Sequence, residues 1–262
     1  MTVTRMLYYQ AVDTWAITKR NLLRYVRLPQ LIFFSSIQPI IFLTLFNFVF
    51  GGALVKSGAV LHGKYIDYLL PGIMIQVTIF GGLQSAIGLA TDMTSGVISR
   101  FRSLPMSRGA VLAGRTLADT LRNIVVVAIM LVYGYILGFR FSNGLWDAAS
   151  MIAVVVLFGF AFSWVFVYVG MRTKDAEAAQ LSGFVFIFPL IFASAAFVPV
   201  ATMPGWLQQF ANNQPITFAV NVARHFALGM PMDGALWKLL VWLLGIMILF
   251  IPLAIRTYRK HV

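Results

Sequence analysis

Six stretches of the chain are long and apolar enough to cross a lipid bilayer as helices. A spanning helix needs about 20 mostly apolar residues. The stretches are residues 31–51, 69–91, 121–139, 148–171, 178–201 and 236–255. Backbone groups in lipid must hydrogen-bond internally, and these runs lack the alternating pattern of membrane β-strands. The sequence predicts an all-α membrane protein with six transmembrane helices, built as a single transmembrane domain over residues 1–262.

Charged side chains are too scarce to cover a water-soluble protein of this length. Only 11% of the residues are charged and 60% are hydrophobic, whereas soluble domains carry roughly 25% charged and 45–50% apolar residues. A water-soluble enzyme is therefore excluded. The chain has no cysteine, which also excludes disulfides and thiolate metal sites.

The positions of the basic residues predict the orientation of the chain. If the N-terminus is cytoplasmic, only five of the 20 Lys and Arg residues fall on outer segments. These five are Lys56, Lys64, Arg140, Arg224 and Lys238. Cytoplasmic loops carry the excess of positive charge in membrane proteins, so both termini are expected in the cytoplasm. The net charge of +12 then reflects topology, and no nucleic-acid partner is expected.

Residues 5–28 precede the first stretch and are typical of a helix that lies in the membrane interface. Leu7, Trp15 and Val26 share one apolar face, and basic residues gather toward the end. Pro29 separates this helix from the first span. A cleaved signal peptide is the alternative, but the apolar run starts too late and lasts too long for one.

The acidic residues avoid the six stretches or lie at their edges. They are Asp13, Asp67, Asp92, Asp119, Asp147, Asp175, Glu177 and Asp233. A charge at the centre of a membrane helix costs roughly 2.5–3.5 kcal/mol and usually marks a function. An ion-coupled carrier is therefore disfavoured, although ion sites made of backbone groups alone stay possible. The interior polar residues are interpreted as helix–helix hydrogen bonds; they are Gln38, Asn47, Gln76, Gln84 and Ser194.

Catalytic and nucleotide-binding motifs give weak signals. The three histidines lie in separate segments, and Asp175 and Glu177 fit a solvated ion-pair cluster beside Arg172. Residues 109–116 approximate a P-loop, but Arg115 replaces its lysine and no strand precedes it. We expect no catalytic residue, no metal site and no ATP hydrolysis by the chain itself.

The inner loop between the second and third spans combines apolar and basic residues. Val97, Ile98, Phe101 and Leu104 alternate with arginines there. Such a segment suits the groove of a partner protein, where arginines pair with carboxylates. It suits anionic lipid equally well, so physical reasoning leaves both partners open.

Three motifs resemble those of the ABC-2 type permeases, especially the daunorubicin-resistance-type exporters, over nearly the whole chain. The first is Arg-Phe-Arg-Ser-Leu-Pro-Met-Ser-Arg at residues 100–108. The second is Ser-Ala-Ala-Phe-Val-Pro at 194–199, followed by Met203 and Pro204. The third is Gln-Pro-Ile-Thr at 214–217, leading to Arg224 and Gly229.

This resemblance implies a permease of the ABC-2, type V exporter-like fold in the bacterial cytoplasmic membrane. It would pair with a second permease, identical or homologous, and with ABC ATPase subunits. This chain would bind no cofactor, and ATP and Mg would bind to the ATPase subunits. The loop at 93–116 would be the coupling segment. Its predicted ATPase contacts are Arg100, Phe101, Arg102, Leu104, Pro105 and Arg108.

The resemblance also implies roles for the outer segment and the pathway. Residues 202–235, with Pro215 and Arg224, would form short re-entrant helices, although an ordinary surface loop is the alternative. Arg224 would cap a helix end or meet a lipid phosphate. The second and fifth spans would meet the second permease and line the substrate pathway, unless their stripes face lipid or pack internally. The predicted pathway residues are Ile75, Gln76, Ile79, Leu83, Phe184, Phe188 and Phe192.

The function expected from the sequence is therefore the permease subunit of an ATP-driven exporter of drugs, antibiotics, lipids or other hydrophobic compounds. An ion-coupled multidrug carrier is the second candidate, and an intramembrane lipid-modifying enzyme is the third. Transport that depends on a proton gradient rather than ATP would distinguish the carrier.

Overall fold

The computed structural model describes residues 3–56, 64–97, 108–142, 144–173 and 175–261. Its regular elements in that part of the chain are helices, which confirms the all-α prediction. They are α1 (Val3–Arg27), α2 (Gln30–Leu45), α3 (Gly51–Lys56), α4 (Tyr65–Thr94), α5 (Arg108–Ile136), α6 (Gly144–Thr173), α7 (Ala176–Phe192), α8 (Gly205–Ala211), α9 (Pro215–Leu228) and α10 (Ala235–His261). A π-helical turn, Phe46–Phe50, joins α2 to α3.

Five of the six predicted spans are helices of membrane-spanning length in the described part of the chain. They are Gln30–Lys56, Tyr65–Thr94, Gly109–Ile136, Gly144–Thr173 and Ala235–Tyr258. Helices of 30 residues are about 45 Å long, and the hydrocarbon core of a bilayer is about 30 Å thick. The helices α4 and α6 therefore extend beyond the hydrocarbon, which is why they exceed the predicted windows.

Helix α4 occupies the centre of the bundle, where it contacts α5, α6, α7 and α9. Most of its apolar window is buried, whereas little of the windows of α2–α3 and α10 is buried within the protomer. Exposed apolar helix faces of this extent suit lipid rather than water. The long helices therefore form a multi-pass membrane bundle around α4.

The predicted fifth span, 178–201, is wrong in its second half. Helix α7 ends at Phe192 and the irregular segment 193–199, here called the break, follows it. Non-helical backbone is tolerated at membrane depth only where protein covers it. Ser194, Ala195 and Ala196 in the break are indeed buried, and donors from α4 and α9 bind its carbonyl groups.

The predicted coupling loop at 93–116 is also shorter than expected. Helix α4 continues to Thr94 and α5 begins at Arg108. The start of α5 packs on α1: the Thr18 hydroxyl donates to the Gly114 carbonyl at 3.1 Å, and a Cβ at Gly114 would lie 2.7 Å from that of Ile17. Packing against α1 explains why this polar segment is helical.

Helix α1 agrees with the bounds predicted for the interfacial helix. Ile17 and Thr18 are buried against the bundle, while Trp15 and Val26 on the predicted apolar face are exposed. An exposed tryptophan on such a helix suits the membrane interface.

Gly72 lies where α4 packs closely against the break. A Cβ at residue 72 would lie 2.1 Å from the carbonyl oxygen of Ala196, a backbone atom that cannot rotate away. We expect Gly72→Ala to destabilise the protein by about 1–3 kcal/mol through overpacking. Thermal denaturation in dodecyl maltoside measures the change.

Gly245→Ala is the matched control, because that helical glycine has open space around its Cβ position. A helix-compatible Gly→Ala change stabilises by about 0.4–1 kcal/mol. Equal melting temperatures for the two variants would contradict the packing of α4 on the break.

Candidate functional site

A buried polar cluster joins α1, α4 and α5 near the start of α5. The cluster consists of Tyr25, Ser85, Asp92, Arg115 and Asp119. Tyr25 and Ser85 each donate a short hydrogen bond to the Asp119 carboxylate. Arg115 pairs with Asp92 through Nη1, and its Nε lies 3.9 Å from Asp119 Oδ2. One guanidinium therefore approaches two carboxylates.

Burial, together with the neighbouring Asp119 carboxylate, raises the pKa of the Tyr25 phenol above its ordinary value. The phenol therefore stays protonated and acts as a hydrogen-bond donor to Asp119. This fixes the end of α1 against the bundle at the same carboxylate that Arg115 approaches.

Asp119 corrects the expectation that the acids avoid the interior. It lies two residues before the predicted third window, yet it is only 2% exposed. The reason is that α5 begins before that window and carries this polar segment into the bundle. Arg115, Asp119 and Arg122 are spaced three and four residues apart and so share one helix face. That spacing is the available sequence signal, although the predicted loop at 93–116 contains Arg115 and the predicted third span begins only at residue 121.

A cavity of about 310 Å³ opens beside this cluster. Its walls come from α1, α2, α4, α5 and α7. The polar and charged lining residues are Arg24, Tyr25, Ser35, Gln38, Gln76, Gln84, Thr91, Arg115, Arg122, Asn123 and Gln180, and the larger apolar ones are Leu31, Phe34, Val77, Phe80, Leu83, Ile87, Val126 and Phe184. Its volume is at the lower limit of small-molecule sites. The lining therefore offers contacts to both polar and apolar groups.

The interior glutamines serve this cavity. Gln38, Gln76 and Gln84 line it, a position that their interpretation as helix–helix hydrogen bonds does not predict. The side-chain oxygen of Gln76 is buried without a hydrogen-bond partner in the described part of the chain. Ser194 donates within its own segment, to the Ile191 carbonyl at 2.6 Å.

A row of phenylalanines runs from the cavity along α7. Phe80, Phe184, Phe188, Phe192 and Phe197 form this phenylalanine row. The ring centroids lie 6.0 Å apart for Phe80 and Phe184, and then 5.5, 5.8 and 5.1 Å apart along the row. Phe188 and Phe192 are exposed on the protomer surface. The row connects the cavity with the break by continuous aromatic surface.

Arg224 holds the break at the other end of the row. Its Nε donates to the Tyr68 carbonyl at 2.9 Å, and its Nη2 donates to the Ala195 and Ala196 carbonyls at 2.7 and 3.2 Å. The guanidinium also lies 3.4 Å from the centre of the Tyr68 ring. Both sequence interpretations of Arg224, as a helix cap and as a contact to lipid phosphate, are therefore wrong: it is a buried cross-link between α9, α4 and the break.

The predicted site residues divide into three groups. Gln76, Leu83 and Phe184 line the cavity, and Phe188 and Phe192 belong to the phenylalanine row. Ile75 and Ile79 pack in the core of the bundle instead. Pro215 is the first residue of α9, a short helix within 202–235; its re-entry into the membrane stays a prediction.

The predicted ATPase contacts lie mostly beyond the region that the structure describes. Arg100, Phe101, Arg102, Leu104 and Pro105 fall between residues 98 and 107, and only the backbone of Arg108 is described, at the start of α5. Their assignment stays a prediction. The P-loop-like residues 109–116 are α-helical, which is not the geometry of a phosphate-binding loop.

The sequence is similar to permeases of drug-resistance transporters. The profile of the ABC-2 type transporter family matches residues 12–228. A daunorubicin resistance ABC transporter permease of Streptomyces coeruleorubidus is 32% identical over 92% of this chain and 84% of its own. A probable doxorubicin resistance ABC transporter permease of Mycobacterium tuberculosis is 32% identical over 93% of this chain and 87% of its own. The bundle of apolar helices and these similarities agree: the chain is a multi-pass membrane protein that belongs to the ABC-2 type transporter family.

Proposed function

We propose that this chain is the permease subunit of an ATP-driven exporter that moves hydrophobic compounds out of the cytoplasm or the inner leaflet of a bacterial cytoplasmic membrane. Family membership implies an ABC ATPase partner and a second permease. The observation that carries the proposal is the mixed cavity continuing into the phenylalanine row. Because Phe188 and Phe192 are exposed, a second permease seated on α7 would enclose the row as a pathway.

The charge pattern supports a cytoplasmic position for both termini and for the end of the bundle that holds the polar cluster. The cavity would then open toward the inner side, where an exporter takes up its substrate. The segment 98–107 would reach the ATPase, and ATP and Mg would bind to that partner. Closure of the ATPase subunits would move the two permeases as rigid bodies.

The structure does not favour an ion-coupled carrier. Proton relays in such carriers use intramembrane carboxylates that can release and rebind a cation. Asp119 is buried, but Tyr25, Ser85 and Arg115 already occupy its oxygens.

The acidic pair considered for catalysis has a structural role at Asp175. The Asp175 carboxylate accepts a hydrogen bond from the Ala178 amide at 2.8 Å and caps the start of α7.

Transport assays in proteoliposomes test the proposal. The chain with its co-purified ATPase should take up an uncharged hydrophobic dye such as Nile red when ATP is added, and the chain alone should hydrolyse no ATP. Phe188→Ala should slow uptake roughly threefold or more, since it removes one aromatic contact from the row. Phe186→Ala is the control, because Phe186 is exposed on the same helix but outside the row.

Uptake driven by a proton gradient without ATP would overturn the exporter proposal. Equal slowing by Phe188→Ala and Phe186→Ala would leave the ATP dependence intact but would remove the phenylalanine row from the pathway.

A further inference from the structure

We propose that the cavity binds the anionic headgroup of an amphiphile and that Arg122 holds its charge. The amphiphile is treated as cargo, so this inference rests on the proposed export function. The recognised chemistry is a phosphate or carboxylate group joined to an apolar chain. The charges, the buried unpaired groups and the aromatic wall of the cavity support it separately.

The cavity wall is positively charged. Arg24, Arg115 and Arg122 contribute to the lining, and no acidic side chain does so among the described residues. The nearby carboxylates of Asp92 and Asp119 are engaged by Arg115. A ligand in the cavity therefore meets basic groups, and a cationic headgroup would be repelled.

Arg122 is buried with an incomplete set of partners. It is 5% exposed, and its Nη2 donates to the Gly81 carbonyl at 2.9 Å and the Asn123 amide oxygen at 3.1 Å. Its Nε has no hydrogen-bond partner in the described part of the chain, and neither described ion pair involves it. A guanidinium offers five N–H donors, and a buried charge without a counter-ion is costly. An anionic oxygen in the cavity would supply the missing acceptor.

Arg224 shows what a satisfied arginine looks like in this bundle. It also lacks a carboxylate among the described residues, but it donates three hydrogen bonds to backbone carbonyls. Its guanidinium lies 3.4 Å from the centre of the Tyr68 ring, whereas that of Arg122 lies 5.4 Å from the centre of the Tyr25 ring. It lies away from the cavity lining, whereas Arg122 forms part of it. The difference indicates that Arg224 is structural and that Arg122 is available to a ligand.

The remaining lining fits the other parts of an amphiphile. The unpartnered buried oxygen of Gln76 would accept a hydrogen bond from a hydroxyl on the headgroup. Phe34, Phe80 and Phe184 supply apolar surface beside it. A volume of about 310 Å³ holds a headgroup and the first carbons of a chain, and the phenylalanine row would accept the rest.

Native mass spectrometry of the full chain in dodecyl maltoside tests the inference with probes that share one tail. We expect dodecyl phosphate to bind roughly tenfold more tightly than dodecanol or dodecyltrimethylammonium, because only it forms a charge-assisted bond with Arg122. Inorganic phosphate should compete weakly, since it lacks the apolar chain. Equal binding of the phosphate and trimethylammonium probes would overturn the proposal, and competition by inorganic phosphate at equal potency would show a site for a free anion instead.

Variants then assign the effect to Arg122. Arg122→Gln should weaken dodecyl phosphate binding about tenfold, whereas Arg122→Lys should keep most of the affinity. Arg140→Gln is the control, at an exposed arginine beyond the far end of α5, and should leave the affinity unchanged. Unchanged binding in Arg122→Gln would refute the assignment. If that variant does not fold, the comparison of headgroups on the unmodified chain still decides. The assay uses neither ATP nor transport, so its failure is distinguishable from failure of the export function.

Discussion

Replacing Arg115 with methionine is expected to lower the free energy of unfolding by about 3–5 kcal/mol, the usual cost of removing one partner from a buried ion pair. Arg115 is the cation that approaches both Asp92 and Asp119 within 4.0 Å in the described structure. Methionine fills similar space but leaves two largely buried carboxylates without a counter-charge. Unfolding in mixed micelles of SDS and dodecyl maltoside, followed by tryptophan fluorescence, measures the loss.

Two further variants show whether charge is the cause. Adding Asp119→Asn to Arg115→Met removes one of the stranded carboxylates and should recover part of the lost stability. Arg172→Met, at an exposed position, should change stability by less than about 0.5 kcal/mol. If the double variant is as unstable as the single one, electrostatic balance is not what Arg115 contributes.

The second large effect is expected at Arg224. Arg224→Met removes three hydrogen bonds from a charged donor, each worth about 1.5–3 kcal/mol, but it also relieves the cost of burying the guanidinium. The net loss of stability should be about 2–4 kcal/mol. Lys238→Met is the control, because Lys238 is exposed and sits over the ring of Phe218 from a neighbouring helix.

A single introduced cysteine locates this effect in the molecule. The chain has no natural cysteine, so Ala196→Cys gives one thiol, in the buried break. It should resist a water-soluble maleimide in the otherwise unchanged protein and should react in the Arg224→Met background. Equal labelling in both backgrounds would show that Arg224 does not hold the break.

The positions of the long helices were largely predictable, because the apolar requirement of the bilayer acts on each segment separately. The windows at 69–91 and 148–171 both lie inside helices of the structure, α4 and α6. The errors fall where polar segments are helical, as at Asp119, and where an apolar segment is not, as in the break. In both places a neighbouring helix decides the outcome. Helix α1 covers the start of α5. Arg224 of α9 and the preceding cap residue Gln214 supply donors for carbonyl groups of the break, and Thr217 of α9 accepts from the Ala195 amide.

The candidate site was only partly predictable. Gln76 and Phe184 are predicted from the expected pathway helices, but the sequence places Arg122 only among the inner basic residues that set the orientation. Its helical spacing from Arg115 and Asp119 was visible in the sequence. In the structure Arg115 approaches both carboxylates, and Arg122 is left beside the cavity. This arrangement depends on distances among three helices, and the spacing of residues along one helix does not give those distances.

The sequence by itself determined the class of this protein: apolar stretches of spanning length require helices in a membrane, and sparse charges of mostly one sign predict their orientation. These are local consequences of the cost of placing polar groups in hydrocarbon. The tertiary structure alone decided which polar groups are satisfied. Two arginines that look alike in the sequence have different surroundings, because three backbone carbonyls surround Arg224 while an open cavity leaves Arg122 short of acceptors.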